Sequence, residues 1–311
     1  MGKCIVDADY TELKERNRIT TNLWHLYRTS EFSSLKEEAL RILALIRPEN
    51  IVHLLTEELE NKKSDDQWRT ISLLEEIGGE KAVDPLIQVL NTDTDQEVRW
   101  RAVYALGEIG SEKAVDPLIQ ILNTDTDSDV RRSAISAIGE IGGEKAVDPL
   151  IQMLGKKDSS IRWRTAEALG KIGGEKAVDP LIQVLNTDTD SDVRRSAISA
   201  IGEIGGEKAV RSLVKVLAMK DPDVRRSAIS AIGEIGGEKA VRSLVKVLAM
   251  KDPDVRRSAI FALGKIGSEK AIEHLKSALG DKSGGALDGV KDAVYNSLER
   301  ISRTTKEKIA L

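Results

Sequence analysis

The chain has 311 residues, of which 41% are hydrophobic but only 3% aromatic, so any core must be built from Ala, Val, Ile and Leu side chains. Its 47 basic and 51 acidic residues leave a net charge of −4, which excludes a generally basic nucleic-acid binder but not a local basic patch. A single cysteine, Cys4, excludes an internal disulfide framework, and three histidines exclude a His-rich metal site.

The first predicted elements are two helices that differ from the rest of the chain. Residues 11–28 and 33–46 have apolar side chains at helical spacing. Residues 46–59 then match the pattern of an internal sequence repeat, whose next copy begins 31 residues later. A terminal unit of a repeat array exposes a face that inner units bury, so residues 1–46 are predicted to form an N-terminal helical cap.

An internal repeat of 31 or 32 residues fills the middle of the chain and is marked by Ile-Gly pairs that begin at Ile77, Ile109, Ile141, Ile172, Ile204, Ile235 and Ile266. Two stretches are identical copies, since residues 123–147 recur at 186–210 and residues 192–229 recur at 223–260. Self-similarity at this period predicts a helical solenoid.

Each repeat has the pattern of two helices joined by a loop. In one copy, Val83, Leu86 and Leu90 lie at i, i+3 and i+7 of the first helix. Asp and Ser residues supply the N-cap of the second helix, and the glycine of each Ile-Gly pair ends it. A further glycine recurs inside the second helix, at positions 107, 139, 170, 202, 233 and 264. It predicts close packing between the second helices of neighbouring repeats.

The C-terminal part predicts one more helix pair, over residues 271–279 and 287–301, joined by a glycine-rich stretch at 280–285. We therefore predict an all-α fold, a right-handed α-solenoid of about nine helix pairs. It would be one continuous array, with an N-terminal cap at 1–46, repeats at 47–280 and a C-terminal cap at 281–311.

Residues 129–142, followed by 144–151, resemble the short HEAT-like repeats of the phycobilisome-lyase type, and are similar to artificial alpha-repeat proteins built from that consensus. The resemblance covers residues 47–280. It implies that the second helices form a concave surface carrying the variable positions that read a partner. It does not imply one activity, because the family holds lyases, hydroxylases and binding scaffolds.

Three of the four tryptophans, Trp68, Trp100 and Trp163, share one position on the second helix, in a stripe turned away from its apolar side. Exposed indoles are costly unless covered, and Trp, Tyr and Arg dominate interface hot spots. We predict a partner-binding surface made of Trp68, Trp100, Arg101, Tyr104, Arg132, Trp163, Arg164, Arg195, Arg226, Arg257 and Phe261.

In this surface the aromatic side chains are the expected apolar anchors, and Arg101, Arg132 and Arg164 are expected to pair with acidic groups of the partner. Two alternatives stay open. In the first alternative, each indole lies over the helix of the neighbouring repeat and completes the packing. In the second, the arginines alternate with Glu140, Glu203 and Glu234 in a solvated charge lattice.

A second arginine series directly follows the buried Val or Ile of the second helix, at Arg99, Arg131, Arg162, Arg194, Arg225 and Arg256. We predict that these side chains are structural and that they donate hydrogen bonds, between repeats, to the aspartates before the repeat proline, Asp84, Asp116, Asp148 and Asp179. Partly buried Arg–Asp pairs of this kind orient neighbouring elements.

The acidic loops resemble the start of a calcium loop, as in Asp125, Asp127 and Asp129. An EF-hand requires Gly at position six and Glu at position twelve, where this chain has Val130 and Ser136, so helix capping explains the loop better.

The histidines at 25, 53 and 274 are each followed by Leu, unlike the His-Glu pairs that hold iron in the deoxyhypusine-hydroxylase branch of the resembling family. Cys4 has no neighbouring base in view. We therefore predict no catalytic residue, metal or cofactor.

The predicted function is a non-enzymatic scaffold that binds a protein or peptide. Because no apolar run approaches about 18 residues and residues 1–10 have no signal-peptide core, we expect a cytoplasmic protein without membrane contact. One alternative is a bilin lyase or chaperone that places a tetrapyrrole against Trp68, Trp100, Tyr104 and Arg132. The other is a HEAT-like nucleic-acid reader, which the net charge opposes. Partner and oligomeric state are left open.

Overall fold

The structure is a computed structural model that describes residues 2–46, 50–60, 67–77, 79–280 and 291–305. Within these ranges every regular element is a helix, and the predicted all-α solenoid fold is confirmed. The side chain of Cys4 and residues 281–285 of the predicted glycine-rich connection lie outside the described residues.

The chain falls into two compact units, Met1–Ile141 and Gly142–Leu311. The helices of the first unit are α1 Gly2–Thr29, α2 Ser33–Ile46, α3 Ile51–Glu60, α4 Gln67–Ile77, α5 Glu80–Thr92, α6 Gln96–Ile109, α7 Val115–Thr124 and α8 Ser128–Ile141. Those of the second unit are α9 Val147–Met153, α10 Ser159–Ile172, α11 Val178–Thr187, α12 Ser191–Ile204, α13 Gly206–Val216, α14 Pro222–Ile235, α15 Gly237–Val247, α16 Pro253–Ile266, α17 Glu269–Gly280 and α18 Lys291–Thr305.

Consecutive helices form pairs within each unit, four in the described part of the first and five in that of the second. In the first unit α2, α4, α6 and α8 pack on one another in order, and in the second α10, α12, α14, α16 and α18 do the same. Helices one repeat apart in sequence are thus neighbours in space. The single continuous array, its handedness and its two caps stay predictions.

The repeat cores are aliphatic, as composition requires. In α6, Ala102, Val103, Ala105 and Leu106 have no exposed surface. The N-terminal helix departs from the expectation that Ala, Val, Ile and Leu alone build the core, because Tyr27 of α1 is fully buried. Its hydroxyl is 3.1 Å from Oγ1 of Thr70, which satisfies the phenol and makes its burial tolerable.

The glycines inside the second helices stand where neighbouring helices touch. A Cβ on Gly107 would lie 3.0 Å from Cβ of Ala137, and one on Gly233 would lie 2.8 Å from Cβ of Ala262. The distance at Gly233 is shorter than real Cβ contacts, and the one at Gly107 is tighter than most of them, so packing rather than backbone conformation favours glycine here. This confirms the predicted close approach.

The loops before the second helices are capped as expected. Asp190 accepts hydrogen bonds from the backbone N–H groups of Asp192 and Val193, and Asp95 accepts one from Glu97. At the other end, Gly110 has a left-handed conformation with φ 71° that stops α6. The two ends of the helix are therefore set by local sequence.

The arginine series that follows the core Val or Ile is structural, but its predicted acidic partners were wrong. Nε and Nη2 of Arg99 lie 2.9 and 3.1 Å from the carboxylate of Asp125, in the loop one repeat further on. Equivalent pairs join Arg162 to Asp188, Arg194 to Asp221 and Arg225 to Asp252.

The aspartates before the proline pair with lysines instead. Asp84 accepts from Lys113, Asp148 from Lys176 and Asp179 from Lys208, each in the next repeat. The reason is position along the helix, because the arginine stands at the loop end of its helix and reaches only the loops.

Candidate partner-binding surface

Two indoles are exposed side by side on α4 and α6. Trp68 and Trp100 occupy equivalent repeat positions and expose 39% and 38% of their surface. Tyr104, one turn after Trp100, is 48% exposed, and its ring stacks on the Trp100 ring at a centroid distance of 6.1 Å. Trp100 and Tyr104 thus form a stacked pair, and Trp68 lies at the equivalent position of the neighbouring second helix.

The guanidinium of Arg101 lies against both indoles. Its Cζ is 5.6 Å from the ring centroid of Trp68 and 5.7 Å from that of Trp100, within cation–π range. Its Nη2 also donates to Oε1 of Glu97 at 3.1 Å. Arg101 therefore joins the two repeats and holds both rings in place.

A second guanidinium covers the outer side of Trp68. Cζ of Arg69 is 4.6 Å from the Trp68 ring centroid, and its Nη2 donates to Oε1 of Glu37 at 3.2 Å. Each indole therefore has a guanidinium near its ring and also keeps more than a third of its surface exposed. Whether the tryptophans serve binding or packing stays a prediction.

Two carboxylates border the aromatic stack. Glu75 of α4 is half-buried, and Glu108 of α6, one turn after Tyr104, is exposed. Burial and then the negative charge of Glu108 raise the pKa of Glu75 above its ordinary value. The charge of Glu108, burial and the charge of Glu75 raise the pKa of Tyr104. We call the side chains of Trp68, Glu75, Trp100, Arg101, Tyr104 and Glu108 the α4–α6 face.

The predicted site residue Arg132 lies on the next second helix, α8. It forms an ion pair with Asp129, one turn earlier on the same helix. Arg132 is thus partly neutralised within its own helix, as Arg101 is by Glu97.

In the second unit the predicted residues are spread over four helices. Trp163 of α10 is half-buried, with Cζ of Arg164 4.5 Å from its ring centroid. Phe261 of α16 is 47% exposed. The arginines at the first position of the stripe each pair with an aspartate three residues earlier, Arg195 with Asp192, Arg226 with Asp223 and Arg257 with Asp254.

The glutamates of the second unit lie across neighbouring helices. Oε2 of Glu203 occupies the space beside Gly170, 2.6 Å from where a Cβ would stand. Burial, followed by the charge of Glu167, raises the pKa of Glu203. Glu234 forms an ion pair with Lys265 at 3.0 Å. The described ion pairs of Arg195, Arg226 and Arg257 are thus with aspartates of their own helices, and that of Glu234 is with a lysine, so an arginine–glutamate lattice stays a prediction.

The residues that the sequence analysis considered as metal ligands either cap a loop or helix or lie exposed on the surface. The backbone N–H of Asp127 donates to Asp125, and that of Asp129 to Asp127, so these carboxylates cap the loop and helix. The three histidines are exposed. In the ranges that the structure describes, no three His, Cys, Asp or Glu side chains are grouped to hold a metal ion, and no helix has both the length and the hydropathy of a membrane span.

The chain matches the family model of HEAT repeats over six overlapping segments, residues 21–107, 52–137, 115–202, 149–228, 178–260 and 210–299. It therefore belongs to the HEAT repeat family, which confirms the resemblance drawn from its sequence. No curated protein matches it in sequence.

Solved structures similar to this chain include repeat proteins of several kinds. Kap121p matches with a TM-score of 0.55 and 17% identity, over 87% of this chain and 36% of that protein, which shows the fold alone. An engineered protein matches with a TM-score of 0.45 and 25% identity, over 91% of this chain and 89% of that one. The complex of CpcE and CpcF of phycocyanin lyase from Nostoc matches with a TM-score of 0.44 and 24% identity, over 73% and 96%.

The predicted site residues did not include Glu108, and they did not include Glu75. Glu75 occupies the repeat position at which α6 has Gly107. A large charged residue in place of the recurrent glycine is the feature of the sequence that could have identified it. Trp68, Trp100, Arg101 and Tyr104 are brought together by the structure, whereas Arg195, Arg226 and Arg257 stand on separate helices with local acidic partners.

Proposed function

We propose that this chain is a non-enzymatic protein-interaction scaffold that binds a protein or peptide partner through its second helices. One observation carries the proposal: the α4–α6 face leaves two indoles and a phenol open to solvent at adjacent repeat positions. Large aromatic side chains exposed together mark an interaction site more often than a free surface.

The geometry also favours tight binding. Arg101 holds both indoles by its contacts with their rings, so little side-chain freedom is lost when a partner covers them. Rigid aromatic side chains next to arginine are the usual composition of an interface hot spot. Arg132 extends this surface on α8, and the remaining proposed contact residues in the second unit are Trp163, Arg164, Arg195, Arg226, Arg257 and Phe261.

Site-specific photocrosslinking tests the proposal in cells that encode the chain. A photoreactive phenylalanine replaces Tyr104 of the α4–α6 face, and in a control chain it replaces Tyr295 of α18, which is 47% exposed. The expected result is a defined protein crosslinked from position 104 and absent from position 295. The same partner at both positions, or none at 104, contradicts the proposal.

The crosslinked partner is then purified and its affinity measured. Trp68→Ala with Trp100→Ala is expected to weaken binding at least about tenfold, with helicity unchanged, because both anchors are lost. Phe32→Ala removes a ring that is 68% exposed elsewhere in the first unit and serves as the control. If the double variant melts far earlier and keeps its affinity, the indoles are packing residues and this surface is not the binding site.

A further inference from the structure

Positive charge on the α4–α6 face is already compensated within the chain. Arg101 pairs with Glu97, and Arg69 pairs with Glu37. The flat faces of both guanidinium groups are covered by indole rings. Neither arginine offers an uncompensated charge to a partner.

Negative charge on the same face is not compensated. Among the described residues, no Lys, Arg or His side chain forms an ion pair with Glu75 or Glu108. Glu76, next to Glu75 and fully on the exposed side, adds a third carboxylate. The carboxylates therefore dominate the charge that this face presents to a partner.

In the second unit, some of the glutamates have a lysine of the chain as an ion-pair partner. At the repeat position of Glu108 the second unit has two lysines, Lys171 and Lys265, as well as two glutamates, Glu203 and Glu234. Lys265 pairs with Glu234 at 3.0 Å, and Lys171 with Glu167 at 3.5 Å. In the part of the chain that the structure describes, no lysine forms such a pair with Glu75 or Glu108.

The position of Glu75 has an energetic cost that a cation would remove. Its carboxylate is half-buried beside a like charge, and both conditions disfavour the ionised form. A guanidinium or ammonium group placed between Glu75 and Glu108 replaces repulsion with two attractions. The stacked rings of Trp100 and Tyr104, next to these carboxylates, add an electron-rich surface for the same cation.

We propose that the α4–α6 face binds a cationic protein segment, whose arginine or lysine side chains pair with Glu75 and Glu108 and lie against the Trp100–Tyr104 stack. The inference rests on the proposed function in one respect, that the partner is a protein. It reverses the expectation that the partner carries acidic groups for Arg101. Charge complementarity, not apolar area alone, selects this partner.

The test uses two labelled peptides and the full chain. One peptide alternates arginine with alanine, the other alternates glutamate with alanine, and binding is followed by fluorescence anisotropy at about 0.15 M salt, where distant charges are screened. Glu75→Gln with Glu108→Gln removes both carboxylates without changing side-chain size. Glu31→Gln with Glu112→Gln changes the net charge equally at two exposed positions, one between α1 and α2 and one in the 3-10 helix before α7.

The arginine peptide is expected to bind and the glutamate peptide not to bind. The Glu75/Glu108 variant should lose at least about fivefold in affinity, and the Glu31/Glu112 control should stay within about twofold. Trp100→Ala should weaken binding further, whereas Trp100→Phe should keep part of it because a ring remains.

Equal weakening in both glutamine double variants would mean nonspecific attraction to a negatively charged protein and would overturn the inference. No binding of the arginine peptide would overturn it too. If the glutamate peptide binds and Trp100→Ala abolishes this, the cationic partner is wrong while the proposed function survives. Crosslinking at position 104 tests that function independently, since it makes no assumption about the partner's charge.

Discussion

Arg162 of α10 and Asp188, 26 residues later, form a bidentate ion pair, with Nε to Oδ2 at 2.6 Å and Nη2 to Oδ1 at 2.9 Å. Nη1 of the same arginine donates to the carbonyl groups of Lys156 and Lys157 in the preceding loop. One side chain thus fixes the loop of its own repeat and the loop of the next. The Arg99–Asp125 pair repeats this arrangement in the first unit.

Replacing Arg162 with lysine should destabilise the chain by about 1–3 kcal/mol, because lysine cannot make the bidentate contact and reach the loop carbonyls together. The measurement is urea unfolding followed by circular dichroism. Arg195→Lys is the matched control, since that exposed arginine forms an ion pair with Asp192 on its own helix, and an exposed pair contributes at most about 1 kcal/mol. Equal losses in the two variants would show that the Arg162 contacts carry no special weight.

Acid should weaken the same connection. Hydrogen bonds from Arg162 hold the pKa of Asp188 below its ordinary value of 3.8, against burial, which raises it. A lowered pKa in the folded state means that this stabilisation is present above the unfolded value and is lost as pH falls through the folded one.

The advantage of the wild type over Asp188→Asn in free energy of unfolding should therefore be constant between about pH 5 and pH 7 and shrink below about pH 4. Urea titrations at each pH measure it, with the exposed Asp192→Asn as the control for loss of one charge. An advantage that stays constant to about pH 2 would contradict the prediction, because the carboxylate would then contribute nothing as an anion.

Gly233→Ala should destabilise the second unit by about 1–3 kcal/mol, although alanine has the higher helix propensity by about 1 kcal/mol. The added Cβ would stand 2.8 Å from Cβ and 3.1 Å from Cα of Ala262, so a neighbouring backbone has to shift. Gly155→Ala is the control, since its nearest atom is 3.7 Å away. A stabilised Gly233→Ala variant would mean that α14 and α16 separate at little cost.

Glu203→Gln should stabilise the chain slightly at neutral pH. Burial and the charge of Glu167 raise the pKa of Glu203, so the folded state favours its protonated form, and that advantage is lost as pH rises through the folded pKa. Because the side chain is largely exposed and screened, the gain at about pH 7 should be no more than about 0.5 kcal/mol. Thermal melts at about pH 4 and pH 7 measure it, and a variant less stable than wild type at neutral pH would contradict the assignment.

Some interactions could be predicted from the sequence because they involve residues only a few positions apart. The aspartate caps, the Gly110 stop and the apolar side of each second helix follow from spacing within a few residues. The recurrent Gly107 position also predicted the close helix contact, since a repeated glycine in a helix costs stability unless packing requires it.

Other interactions could not be predicted from the sequence, because they depend on how one helix pair packs against the next. The spacing of Arg99 allowed a partner in either the helix or the loop of the following repeat, and only the structure selected Asp125. Burial of Tyr27 and the meeting of Glu75 with Glu108 likewise involve residues 43 and 33 positions from their partners.

By itself, the sequence determined that the chain is a helical repeat protein and which stripe of each second helix is exposed, because helix period and repeat period are written in residue order. Tertiary structure alone decided which charges are satisfied and which are not. A long side chain reaches partners that only the stacking of helices brings near, and electrostatic energies depend on those distances and on burial.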